Sequence, residues 1–96
     1  MYARLITVQV QPERMEAFPA AFHERVLGGI LRETGFKGIY LLQAKAAHKV
    51  TAMVLWETEA DAQASLAGLL QQRLPLLTDL LAGPPAGETL EVILRA

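Results

Sequence analysis

Four short segments of this chain are apolar on both faces when they are read as β-strands. They are Met1–Val10, Phe36–Lys45, Val50–Glu57 and Glu88–Ala96. Because successive side chains of a strand point to opposite faces, a sheet built from these segments needs a cover on each side. The intervening stretches provide helices for one face only. A second copy of the protein is therefore the expected cover for the other face.

Two stretches with helical spacing of apolar residues separate the strands. In the first, apolar residues recur every three or four positions from Met15 to Ile30, which predicts a stripe that faces the core. Pro19 interrupts this stripe and predicts a kink or a restart of the helix, and Gly35 predicts its stop. Thr58, with an acidic residue three positions later, resembles a capping box and predicts the start of the second helix.

The resulting order, strand-helix-strand-strand-helix-strand, predicts an α+β fold. It is typical of a ferredoxin-like βαββαβ sandwich, in which a four-stranded antiparallel sheet carries two helices on one face. We expect a single domain over residues 1–96. Strict alternation puts six apolar side chains on the face without helices: Leu5, Ile39, Leu41, Met53, Leu55 and Ile93. The alternative is a face kept partly polar by Thr7, Gln9, Gln43 and Thr51.

Charge and composition exclude several classes of function. The net charge is −1 and no run of lysine or arginine occurs, so neither nucleic acid nor a membrane surface is an expected partner. The absence of cysteine rules out disulfides and thiolate metal sites. The two histidines have no carboxylates at ligand spacing, so we expect no metal site. We see no signal peptide and no apolar run near 18 residues, and we expect a cytoplasmic protein.

Three local patterns resemble the antibiotic biosynthesis monooxygenase family over essentially the whole chain. They lie at Gly35–Tyr40, at Leu55–Asp61, where a tryptophan ends a strand before a Glu-Ala-rich helix, and at Leu80–Pro84. The resemblance implies a dimeric α/β barrel formed by two sheets, with a pocket between helices and sheet in each subunit. It also implies a cofactor-independent monooxygenase acting on a small aromatic or quinol-type molecule. The alternative is a non-catalytic dimeric domain that binds a small molecule.

The chain departs from the catalytic members of that family in its second helix. Those members often carry a histidine early in this helix, whereas residues 64–70 here contain none. The haem-degrading members also need an asparagine on the first strand, and this chain has no asparagine at all. We therefore expect no haem and no other cofactor.

Candidate pocket residues come from the aromatic and apolar positions near the predicted helices. Trp56 and Val54 share a strand face that points towards the helices, and either line a pocket for a flat substrate or simply pack in the core. Phe22 belongs to the stripe of the first helix. Tyr40 shares a face with Phe36 and offers a phenol that could hold a substrate oxygen.

Candidate catalytic residues are few. His23 flanks the stripe of the first helix and could act as a general base near neutral pH, although such a histidine is more often a partly exposed residue on the side of the helix. Arg4 lies on the first strand between apolar neighbours and could bind an anionic or phenolate group, or pair with a glutamate at the sheet edge. Tyr2 shares its face and could polarise a substrate.

Overall fold

Four antiparallel strands form one sheet in the computed structural model, which describes residues 1–96. The strands are β1 (Tyr2–Gln9), β2 (Phe36–Ala44), β3 (Lys49–Trp56) and β4 (Ala86–Glu91). Their order across the sheet is β2-β3-β1-β4, so the first strand lies in the middle and the last at one edge. Together with two helices this order confirms the predicted α+β, ferredoxin-like architecture.

The first covering helix restarts at the proline that interrupts its apolar stripe. A 3₁₀ turn at Pro12–Arg14 precedes it, and Phe18–Phe22 forms its first α-helical segment, with Pro19 in the first turn. There the missing N–H of proline leaves no intrahelical bond unmade. The helix continues through a π-helical turn at His23–Leu27 and ends with Gly28–Leu31.

The second covering helix begins where the capping pattern predicts. The Asp61 N–H donates to the Thr58 hydroxyl over 3.1 Å, and the α-helix spans Glu59–Gly68. It passes into a π-helical turn at Leu69–Arg73 and a 3₁₀ turn at Leu74–Leu77. No helix of this chain is both long enough and apolar enough to span a membrane.

A glycine ties the start of β2 to the second helix. Gly35 has a φ of +81°, and a Cβ atom at this position would lie 2.0 Å from the Asp61 carboxylate. Only glycine fits both the left-handed backbone and the close approach of the carboxylate. The helix itself ends at Leu31, four residues before the predicted stop, so Gly35 is a packing position in the turn that leads into β2.

The core lies between the sheet and the two covering helices. The largest side chains that are almost completely buried are Trp56, Phe18, Leu77, Leu80, Val10 and Val26. Burial of each such side chain contributes about 1.5–3 kcal/mol. Phe18 and Phe22 stack with their ring centroids 6.2 Å apart, and Trp56 meets Phe36 edge-on at 6.0 Å.

A β-bulge at the start of β2 overturns the predicted faces of that strand. Phe36 pairs with Trp56, but the register then shifts, so that Ile39 pairs with Val54 and Tyr40 with Met53. Paired residues share a face, so Ile39 and Leu41 lie on the helix side and Tyr40 on the other. Strict alternation predicted the reverse, and it failed because a bulge inserts one residue into one strand only.

The last strand is shorter than predicted. It ends at Glu91, which pairs with Tyr2, the first residue of β1. Since β1 offers no further residues to pair with, the chain leaves the sheet after Val92 donates to the Met1 carbonyl over 2.9 Å. Ile93 therefore lies beyond the sheet, 90% exposed, instead of on its face.

The sheet face without helices, called the open face below, carries an apolar set that differs from the predicted one. The pairing register assigns to it Leu5, Tyr40, Leu42, Met53, Leu55 and Leu90. Tyr40, Leu42 and Leu90 are 58%, 47% and 46% exposed. At its centre the hydroxyls of Thr7 and Thr51 form a hydrogen bond of 2.8 Å.

Candidate functional site

A chamber lies between the sheet and the two covering helices. Fourteen of its sixteen lining residues are hydrophobic, and the room left between their side chains is about 40 Å³, enough for a few water molecules. The lining residues are Arg4, Ile6, Val8, Phe18, Phe22, Ile30, Leu41, Val50, Ala52, Val54, Trp56, Ser65, Leu66, Leu69, Leu74 and Leu77. A larger ligand enters only if side chains shift, and the leucines at 66, 69 and 74 are the partly exposed ones on the helix side.

The floor of the chamber comes from the two central strands. On β1, every second residue from Arg4 to Val10 faces the helices. On β3, Val54 pairs directly with Arg4 and Trp56 pairs with Tyr2. The period of two along neighbouring strands therefore brings the guanidinium of Arg4 and the indole of Trp56 to the same end of the chamber.

Two N–H donors in this floor have no hydrogen-bond partner. They are Nε1 of Trp56, whose side chain is 1% exposed, and Nε of Arg4. A buried donor without an acceptor costs about 1–3 kcal/mol. Most buried polar atoms in proteins are paired, so these two donors are the unsatisfied polar atoms among the lining residues.

The Arg4 side chain makes one hydrogen bond within the protein, and the acceptor is uncharged. Its Nη1 donates to the hydroxyl of Thr89, the residue opposite it on β4. Burial lowers the pKa of the Arg4 guanidinium, because an apolar environment disfavours the charged form. An arginine nevertheless stays protonated, so the chamber holds a positive charge.

The predicted site residues divide into two groups. Trp56, Phe22, Val54 and Arg4 line the chamber, whereas Tyr40 lies on the open face. The prediction of Tyr40 as a pocket residue on the face of Phe36 is therefore wrong, because it assumed a β2 without a bulge.

The other two predicted residues, Tyr2 and His23, also lie outside the chamber. His23 is exposed on the π-helical turn of the first covering helix. The hydroxyl of Tyr2 donates to Glu91 over 3.5 Å, and the negative charge of Glu91 raises the pKa of the Tyr2 phenol. A phenol with a raised pKa beside a carboxylate is a poor base near neutral pH.

Sequence reasoning missed Ser65, the second polar residue of the chamber lining. It lies on the second covering helix, one position before Leu66, and also borders a surface hollow lined by Glu33, Thr34 and Asp61. Its place beside an apolar position on the helix stripe was the only signal in the sequence, and serine at such positions is common.

The lining does not suit haem. Haem iron in proteins takes a histidine, cysteine, methionine or tyrosine as its axial ligand, and none of these occurs among the sixteen lining residues. The chain also has no group of three or more histidine, cysteine, aspartate or glutamate side chains placed to hold a metal ion.

A family model for antibiotic biosynthesis monooxygenases matches residues 1–73. Since the match covers well over half of the chain, the protein belongs to this family. A search of curated proteins found no match.

Solved structures of similar fold include proteins of known and of unknown activity. A candidate antibiotic biosynthesis monooxygenase from Bordetella bronchiseptica is 23% identical, with 97% of each chain covered and a TM-score of 0.78. A protein of unknown function from Nitrosomonas europaea is 20% identical, with 99% of this chain and 91% of that chain covered and a TM-score of 0.76. The haem degrader MhuD of Mycobacterium tuberculosis is 19% identical, with 100% and 99% covered and a TM-score of 0.75. Identities this low establish a shared fold.

Proposed function

We propose that this protein is a cofactor-independent monooxygenase-like enzyme that binds a small aromatic or quinol-type molecule in the chamber. The observation that carries the proposal is the pair of unpaired buried donors, Arg4 Nε and Trp56 Nε1, on an otherwise apolar wall. A flat electron-rich molecule would place its ring against the aromatic and aliphatic lining. One oxygen of that molecule would accept from the two donors.

The roles of the lining residues follow from their chemistry. Trp56, Phe22 and Val54 would shape the pocket, and Arg4 would stabilise negative charge on the substrate oxygen through charge-assisted hydrogen bonds. The anion form of the substrate would react with O₂ and itself supply the electrons. When a methylene carbon is oxidised to a carbonyl in this way, one oxygen atom enters the product and the other leaves as water.

A second candidate function is a binding domain without catalysis. It is favoured because no carboxylate or imidazole faces the chamber, so no residue is placed to remove a proton from the substrate. The small free volume of about 40 Å³ also favours it, because a ligand has to displace side chains before it enters.

Oxygen consumption with a panel of quinols tests the enzyme hypothesis. We expect O₂ uptake with the native chain, strong loss of uptake in Arg4→Met, and full uptake in Arg32→Met, which removes an exposed arginine outside the chamber. If quinols of the panel raise the melting temperature of the protein but no O₂ is consumed, the protein is a binding domain without catalysis. If no quinol binds or turns over, both versions are wrong for this ligand class.

We also propose that the protein forms a homodimer through the open face. Four strands about 20 Å long and 4.8 Å apart present roughly 400 Å² in projection, and soluble monomers rarely expose a larger apolar patch. Tyr40, Leu42 and Leu90 lie there with about half of their surface in water. Face-to-face packing of two sheets would bury them.

Sedimentation at micromolar concentration tests the dimer. We expect a species of twice the chain mass of 10.5 kDa. Met53→Lys, which puts a charge on the middle of the open face, should give the monomer, and Gln63→Lys on the exposed side of the second helix should not. A monomeric native chain would refute the dimer and leave the chamber proposal standing.

A further inference from the structure

The polar groups that face the chamber all donate hydrogen bonds, and none is a base. They are the Arg4 guanidinium, the Trp56 indole N–H and the Ser65 hydroxyl. A serine hydroxyl can also accept, but its ordinary pKa is far too high for it to remove a proton unaided. The chamber can therefore hold an oxygen acceptor, but no lining residue is placed to take a proton from a neutral acid.

Arg4 lacks the carboxylate partner that three of the other five arginines of this chain have. Arg14 and Arg25 both contact Asp79, and Arg73 contacts Glu33. No carboxylate lies within 4.0 Å of Arg4, and its one named partner is the neutral hydroxyl of Thr89. Arg4 is partly exposed, so water solvates part of its charge, but its buried Nε has no partner. A ligand that carries the counter-charge would supply both an acceptor and an opposite charge.

The acidic residues near this end of the sheet do not serve as that counter-charge. Glu91 lies on the same face of β4 as Thr89 but binds the hydroxyl of Tyr2. Glu59, which also raises the pKa of the Tyr2 phenol, is exposed in the first turn of the second covering helix. Neither residue lines the chamber.

We infer that the chamber selects ligands that arrive already ionised: an apolar ring carrying an oxyanion, such as a carboxylate or an acidic phenol. This inference rests on the proposed binding function of the chamber and narrows its ligand class. A neutral quinol or an uncharged aromatic would fill the apolar volume but bind more weakly than its anion, because it leaves Arg4 without a counter-charge. An oxyanion would supply that counter-charge and an acceptor for the unpaired donors.

The test compares benzoate with benzamide, two probes of nearly equal shape that differ in charge. Trp56 is the only tryptophan of the chain and lines the chamber, so its fluorescence reports occupancy directly, and calorimetry gives the affinity. Hydrogen bonds to charged groups contribute about 1.5–3 kcal/mol, so we expect benzoate to bind at least about tenfold more tightly than benzamide. Arg4→Met should abolish the preference, and Arg32→Met should retain it.

Each other outcome counts against the inference. Equal affinities for the two probes, binding of neither probe, or a benzoate preference that survives in Arg4→Met would overturn it. If Arg4→Met does not fold, the comparison of the two probes on the native chain still decides. A tenfold preference without O₂ uptake on any quinol would uphold the inference and reject the oxygenase. O₂ uptake with no benzoate preference would reject the inference and uphold the oxygenase.

Discussion

Two regions of this molecule each hold a partly buried arginine, and they do so in opposite ways. In the slot between the two covering helices, Nη1 of Arg73 lies 2.5 Å from Glu33 Oε1, and the two side chains are only 17% and 19% exposed. In the chamber, Arg4 faces apolar side chains and a neutral hydroxyl. The same functional group is compensated in one place and left uncompensated in the other.

The slot is also shaped for its guanidinium. A Cβ atom on Gly29 would lie 3.0 Å from Arg73 Nε, and one on Gly68 would lie 2.9 Å from Arg73 Nη1. One glycine from each covering helix thus makes room for the side chain that joins the helices. Arg73 has space, a counter-charge and a role in packing, whereas Arg4 has none of these within the protein. The difference supports a structural role for the slot and is the basis of the proposal that the chamber takes a ligand.

Replacing Arg73 and Arg4, each in turn, with methionine should give the largest difference in the free energy of unfolding. Arg73→Met leaves the half-buried Glu33 carboxylate without a partner, so we expect a loss of about 1–3 kcal/mol in the free energy of unfolding. Arg4→Met removes an uncompensated charge from an apolar wall, so we expect stability to stay the same or rise by up to about 1 kcal/mol. Urea unfolding measures both. Equal losses at the two positions would show that Arg4 has a structural role.

Alanine substitutions at Gly68, which lines the slot, and at Gly28, which does not, should change the stability by a smaller amount. Gly28→Ala, where nothing lies within 4 Å of the new Cβ, should stabilise the first covering helix by about 0.5–1 kcal/mol. Gly68→Ala should lose that gain, because its Cβ would displace the Arg73 guanidinium. In an Arg73→Met background Gly68→Ala should recover the gain, and a double-mutant cycle measures the coupling. Identical gains at Gly28 and Gly68 in the native background would contradict a shaped slot.

The surface ion pairs of Asp79 with Arg14 and Arg25 should have the smallest effect on stability. The hydrogen bond from Arg25, at 2.8 Å, is the main cause that lowers the pKa of the Asp79 carboxyl, helped by the charge of Arg14. Because the pKa in the folded state lies below that of the unfolded chain, the stabilisation is complete above about pH 4 and is lost as the pH falls further. Thermal melts of Asp79→Asn should show a flatter fall below that pH than the native chain. A fall as steep as that of the native chain would mean that the pairs contribute nothing.

Much of the fold could be predicted from periodicity and local signals. Alternating apolar residues located the strands, the stripe around Phe22 located the first helix, and Thr58 marked the start of the second helix, which the structure confirms. The stop of the first helix was predicted at Gly35, but the helix ends four residues earlier, at Leu31. The local signals depend on residues close together in the chain, and so they need no knowledge of partners. The errors in the faces of β2 and in the end of β4 both depend on a neighbouring strand. A bulge is defined by the strand opposite, and β4 ends because β1 has no more residues to pair.

The residues of the candidate site were harder to predict from the sequence for the same reason. Trp56, Val54, Phe22 and Arg4 could be named because strand and helix periodicity already placed them on the helix side. Tyr40 was misplaced by the bulge, and Ser65 carried no signal of its own. Nor could periodicity tell which arginine has a counter-charge, because Glu33 lies forty residues away from Arg73 in the chain.

The sequence by itself determined the order of elements, the fold class, and the presence of an arginine among apolar strand residues, since local spacing and side-chain chemistry suffice for these. Only the tertiary structure decided that Arg73 meets Glu33 between two glycines while Arg4 and Trp56 keep unpaired donors in one chamber. Whether a buried charge is satisfied depends on which distant groups the fold brings within hydrogen-bond distance. No local sequence pattern indicates which distant groups the fold brings together.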